Sequence, residues 1–157
     1  MYLSDFSDEV ASAFRYVGNF GCDVFKTLDR LLSGTAFSEV HDRGNPKYLN
    51  MSYLQLLERV HAEDNFDWES TKAEQNLRLD KYILEWTAWV LVLFQWMYRV
   101  DFRDWLKYFS VKDVYNMYYP LHETSLENAA SKLKYNYDYC KKNKEFREKR
   151  DESKNNL

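Results

Sequence analysis

Glycine and proline are nearly missing from this chain, at four and two residues in 157. Their scarcity excludes collagen-like and low-complexity architectures and leaves too few turn residues for a many-stranded β fold. Cysteine is equally sparse. Cys22 and Cys140 cannot build a disulfide scaffold, so a reducing compartment is expected. Long apolar runs are lacking too. The longest, Trp86 to Met97, is broken by Thr87 and Gln95 and bracketed by Glu85 and Arg99. It falls short of the ~20 residues a bilayer requires. Met1 to Phe6 show neither the basic region nor the apolar core of a signal peptide. A cytoplasmic protein with no membrane partner is the expectation.

What is present is 45% hydrophobic, 30% charged and 18% aromatic residues, enough for one buried core. Charge is unevenly placed within a net of −3. Residues 132–157 hold nine Lys/Arg against five Asp/Glu, a surplus of +4, so residues 1–131 carry −7. A weakly acidic body with a basic end is not the footprint of a strong nucleic-acid binder, which gathers positive charge on a folded face.

Apolar residues recur at helical spacing, and period-two alternation is nearly absent. Phe6, Val10, Ala13, Phe14 and Val17 mark a first helix, and Val24, Phe25, Leu28, Leu31 and Leu32 a second that Gly34 ends as a C-terminal cap. Residues 37–50, with Gly44, Asn45 and Pro46, read as a turn or ordered loop. Ser52 opens a short helix through Leu54, Leu57 and Val60. The polar run 63–76 reads as a loop held by Phe66 and Trp68. Leu79 to Arg99 is then a central helix, apolar nearly all round, with one thin stripe at Glu85, Ala88, Val92, Gln95 and Arg99. A short helix starts at Asp101 or Phe102. Ser110 and Asp113 cap another, which Pro120 stops. Thr124 and Glu127 have the spacing of a capping box. The helix they open carries Leu126, Ala130, Leu133, Tyr137 and Cys140 on one seam, expected to dock on the body and otherwise to pair with a second copy. The expectation is an all-α, single-domain bundle of six to seven helices around a Trp-rich centre, spanning 1–140. Residues 141–157 form a charged, partly disordered tail.

Catalytic patterns are wanting. His41, His61 and His122 are far apart, no Cys or His neighbours either cysteine, and neither a phosphate-cradling loop nor a nucleophile elbow appears. Neither a metal nor a cofactor is expected. His122 and Glu123 are the one pair that could act as acid and base, but without a nucleophile or metal they read first as groups that tie a turn. Trp86, Trp89, Trp96 and Trp105 could line a ligand pocket or grip a partner, while their helical spacing reads first as core.

Three blocks carry a family resemblance. The first is Ser33 and Gly34, then Arg43 to Tyr48, with Met51, Ser52 and Leu54. The second is Tyr82, Trp86, Ala88, Trp89, Gln95 and Trp96, with Phe102 downstream. The third is Met117 to Glu123. In order and spacing they resemble the N-terminal helical region of small Firmicutes-type helix-turn-helix regulators of the Xre kind, over roughly residues 30–130. The DNA-binding helices of that family have no counterpart after Tyr135, so the resemblance implies an accessory domain alone and no direct DNA binding. It also implies an antitoxin- or immunity-like role beside a toxin-like neighbour.

The expected function is therefore non-enzymatic, acting by protein–protein binding, with the product of an adjacent gene as partner and a homodimer through the last helix as a further association. The expected surface comprises Gly44, Asn45, Pro46, Lys47, Tyr48, Trp86, Trp89, Gln95, Trp96, His122 and Glu123. A small-molecule-sensing domain and an enzyme using His122 and Glu123 are the alternatives.

Overall fold

A computed structural model describes residues 3–20, 22–34, 37, 51–63, 65–70 and 78–156. Among them the chain is an all-α, single-domain bundle without strands. The helices are α1 (Leu3–Gly18), α2 (Val24–Ser33), α3 (Tyr53–Glu63), α4 (Lys81–Tyr98), α5 (Phe102–Trp105), α6 (Val111–Asn116), α7 (Tyr118–Leu121) and α8 (Leu126–Asn155). A 3₁₀ turn lies at Trp68–Ser70.

Helix α4 is the axis. Its 18 residues are apolar nearly all round, and a helix of that composition is stable only when others enclose it. It packs most extensively against α1 and next against α8. The α1 face that meets it buries Val10, Ala13, Phe14 and Val17 completely. Gly18 lets the last turn of α1 approach closely: a Cβ there would lie 2.6 Å from Leu84 Cδ1. Arg15 and Glu85 pair across the same crossing at 3.4 Å.

The seam of α8 docks on the body. Ala130, Leu133 and Tyr137 are buried, and the Tyr137 ring meets Phe94 at 6.5 Å. Asp80, the cap of α4, bonds Tyr115, and Trp86 meets Tyr118, both just ahead of α8. Helices α4 and α8 therefore run side by side in the same direction. Ala130, Leu133 and Tyr137 of the seam are thus spent on this chain's own core, while Leu126 and Cys140 are only partly buried.

Several helix N-termini are completed by side chains from other elements. Glu9 accepts the Tyr53 N–H at 2.8 Å, Asp29 accepts the Val111 N–H at 2.8 Å, and the Tyr115 hydroxyl accepts the Asp80 N–H at 2.9 Å. Each satisfies a backbone donor that a helix start leaves without an intrahelical partner. Arg103 Nε likewise donates to the Ser33 carbonyl at the end of α2, at 3.0 Å.

Local capping follows the sequence reading with a few shifts. Ser110 and Asp113 form a complete capping box. Gly34 stands at the end of α2, but in an extended conformation (φ −71°) and not the left-handed one. The cap of α8 is Ser125, which accepts from Asn128 at 3.1 Å, one residue later than the Thr124–Glu127 box. The Thr124 hydroxyl instead donates to the Leu121 carbonyl at 2.7 Å. Pro120 does not stop a helix. It is the third residue of α7, where a missing N–H costs nothing because the first turn has no acceptor for it. Leu54 is exposed, and Leu56 takes its place in the core. The stripe on α4 is not a polar face either: Ala88, Val92 and Gln95 are buried.

Helix α8 also continues where order was expected to fade. It is helical to Asn155, although every residue from Lys141 to Asn156 is exposed. Lys, Glu and Arg dominate this stretch, and such straight-chain residues lose little rotamer freedom in a helix.

Candidate functional site

An apolar helix at the centre of a bundle should be covered on every side. Helix α4 is not. Tyr82, Trp89, Leu93 and Trp96 recur at seven-, four- and three-residue steps and so share one strip of its surface. Tyr82 is 65% exposed and Trp96 51%, while Trp89 and Leu93 are half-buried between them. Met97, 42% exposed, widens the strip at its C-terminal end.

Scattered exposed apolar residues are ordinary, but a contiguous strip containing two tryptophans is not. Arg99 completes it, holding its guanidinium 5.7 Å over the Trp96 ring. The strip thus ends in an indole whose face is covered by a cation, beside a flexible thioether. Glu85 borders its N-terminal half and is held by Arg15.

The residues expected from sequence separate in space. Gly44, Asn45, Pro46, Lys47 and Tyr48 lie outside the described residues. Trp89 and Trp96 share the exposed strip. Trp86 and Gln95, at 7% and 6% exposure, belong to the core. The Trp86 indole meets the Tyr118 ring edge-on at 5.4 Å. Trp105 is fully buried and stacks on Phe109 at 5.6 Å. The tryptophans therefore pack against different partners instead of facing one another across a shared space.

His122 is brought near Trp86, through Tyr118. Its ring stacks on Tyr118 at 4.5 Å with the planes 18° apart. Its Nδ1 lies 3.0 Å from the Tyr118 carbonyl and 3.1 Å from the Tyr119 carbonyl. Carbonyls only accept, so an Nδ1–H donates to them and ties the end of α7. Glu123 is exposed beside it. His122 thus holds the turn as expected, whereas Glu123 makes no hydrogen bond among the described residues and Ser125 caps the next helix.

One carboxylate is electrostatically unusual. Asp29, on α2, is pushed up to about 6, chiefly because burial disfavours its charged form. The hydrogen bond from Val111 opposes the shift, and the Asp113 and Asp23 carboxylates add to it. Asp29 sits at the α2–α6 junction, away from the strip on α4. Among the described residues no group of three or more His, Cys, Asp and Glu could hold a metal ion, and no helix is long and apolar enough to cross a membrane.

Tyr82 and Met97 lie outside the expected surface, whereas Arg99 stands on the stripe with Glu85 and Gln95 that is the sequence's one polar handle for a cavity or a partner. The 3.6-residue period puts Tyr82 and Trp96 in one column, but an all-apolar helix does not reveal which column its neighbours leave bare.

Compared with family models, curated proteins and solved structures, the chain matches none.

Proposed function

We propose that this chain acts by stoichiometric binding of another protein, as an antitoxin- or immunity-like regulator does. The observation that carries the reading is the bare strip of α4, above all Trp96 with Arg99 laid over it. Tryptophan, tyrosine and arginine are the residue types that dominate binding energy at protein interfaces. All three meet here, on a rigid helix fixed by the core beneath it. Trp89 and Leu93 continue the strip inward, so a partner would cover a deepening apolar surface rather than an isolated ring.

The resemblance to helix-turn-helix regulators supports the same reading, with the product of an adjacent gene as the partner to test first. Co-expression of the two should yield a complex of fixed stoichiometry. Trp96→Ala should weaken that complex by roughly 30-fold or more, the penalty typical of a central aromatic anchor. The variant should keep its melting temperature, since half of that side chain is already in water. An unweakened complex would remove the strip from the interface, and the absence of any complex would remove the neighbour.

A further inference from the structure

We propose that the basic cleft between Lys107–Tyr108 and α8 is the docking site for an acidic peptide segment of a partner protein. The proposal rests on the protein-binding reading and names the chemistry of the partner.

The cleft has a volume of about 360 Å³ and is lined by Lys107, Tyr108, Cys140, Asn143, Lys144 and Arg147. The last four stand at i, i+3, i+4 and i+7 of α8 and so form one wall. The turn after α5 supplies the other. Tyr108 is fixed edge-on against Tyr137 at 5.6 Å, and Lys144 Nζ lies 5.7 Å from the centre of its ring. Lys107 Nζ is held by Asp104 at 2.8 Å. Among the described residues neither Lys144 nor Arg147 makes an ion pair, although Glu148 and Asp151 follow them at i+4. Two cations without an ion pair, Lys144 and Arg147, and the Asp104-held Lys107 therefore line a cleft that among the described residues no carboxylate lines.

The charge fixes the sign of the occupant, and the shape fixes its class. The Lys107 side chain is 59% exposed, and Asn143, Lys144 and Arg147 are all exposed. A small-molecule site buries most of its ligand, which walls this open cannot do. An extended chain can lay carboxylates against Lys144 and Arg147 and an apolar residue against Tyr108. A nucleic acid fits less well. Its phosphates would run on past the cleft toward a body carrying −7 over residues 1–131. A short acidic segment ends within about one Debye length, ~8 Å at physiological salt, of the cations it meets.

Cys140 provides the readout. It lines the cleft and is partly exposed, whereas Cys22 is buried at 3%. The full chain is titrated into a short fluorescein-labelled Asp/Glu peptide, and alkylation of Cys140 by iodoacetamide is followed with and without unlabelled peptide. Saturable anisotropy that weakens with added salt is expected, together with slower alkylation of Cys140. The Lys144→Glu/Arg147→Glu double variant should lose about tenfold or more in affinity and all of the protection, with an unchanged melting curve. Equal affinity in the double variant, unprotected Cys140, or tighter binding of a single-stranded oligonucleotide overturns the proposal. If the peptide fails while Trp96→Ala still disrupts the co-expressed complex, the cleft assignment falls and the protein-binding reading stands. If the peptide binds the cleft while Trp96→Ala leaves the complex intact, the strip falls and the cleft stands.

Discussion

Arg99 holds its guanidinium 5.7 Å over the Trp96 ring from a backbone in the left-handed region, at φ 55° and ψ 35°. A residue with a Cβ pays about 1–2 kcal/mol for that conformation, which is why glycine is the usual occupant where a helix turns this way. The Arg99 N–H closes α4 on the Gln95 carbonyl at 2.8 Å, and a glycine could make that bond as well. What glycine could not do is cover the indole. Arg99→Gly should therefore raise the unfolding free energy by about 0.5–1 kcal/mol, the strain relief reduced by the greater freedom of glycine in the unfolded chain. It should also weaken the complex with the partner. Denaturant melts and a binding titration on one sample check both signs, and a less stable variant would show that the turn holds no strain.

Asp29 makes stability depend on pH. Its carboxyl is raised to about 6 in the folded chain, against about 3.9 in the unfolded one. Between those values the native state keeps a proton that the unfolded state has released. Stability is therefore full below about pH 4 and falls as pH rises through 6. Asp29→Asn keeps an oxygen to accept the Val111 N–H and removes the desolvated charge. The variant should exceed the parent by about 1 kcal/mol at pH 7.5, a figure discounted because the group is only partly buried. The gap should close toward pH 4. Melts across pH 4–8 test the slope, and a constant gap between the two proteins would count against it.

How much of this could be read from the chain depends on where each signal resides. Val10, Phe14 and Val17, or Leu133 and Tyr137, announce their burial through spacing alone, because one helical period decides which residues share a face. Ser110 with Asp113 is equally local, a cap complete within four residues. Glu9 on Tyr53, Asp29 on Val111 and Tyr115 on Asp80 are not local. These caps join residues 44, 82 and 35 positions apart, and no spacing rule connects them. The site is illegible for the same reason. Trp86, Trp89 and Trp96 are alike in sequence, yet Tyr118 meets the first in the core while the last stays half exposed with Arg99 over its ring. Cys140, Asn143, Lys144 and Arg147 can be seen to share a face, but the wall opposite comes from Lys107 and Tyr108, more than thirty residues earlier.

Thr27 offers a gain in stability with no change in shape. It is 1% exposed on α2, and among the described residues its hydroxyl has no hydrogen-bond partner. A buried hydroxyl without a partner costs about 1–3 kcal/mol of desolvation. Valine has the same outline and a similar helix propensity. Thr27→Val should accordingly stabilise the chain by about 1 kcal/mol, read as a higher denaturant midpoint with the same slope. A loss of stability would mean that the hydroxyl is bonded in solution, for example to a water.

The overhang of α8 separates what the last helix does for the fold from what it does at the surface. Ala130, Leu133 and Tyr137 anchor the helix to the core, whereas every residue from Lys141 to Asn156 is exposed. Leu133→Ala should cost about 2–5 kcal/mol, because it opens a cavity under α8. Ending the chain after Lys141 should change the unfolding free energy by no more than about 0.5 kcal/mol, since it removes surface residues alone. Circular dichroism should lose the helical signal of the deleted turns while the melting curve of the remainder keeps its midpoint. The shortened chain keeps Trp96 and Arg99 but lacks Asn143, Lys144 and Arg147, so it should still form the co-expressed complex, more weakly, and no longer bind an acidic peptide. A melting temperature lowered by several degrees would instead show that the overhang packs back on the body, and the cleft would then be part of the fold's own support.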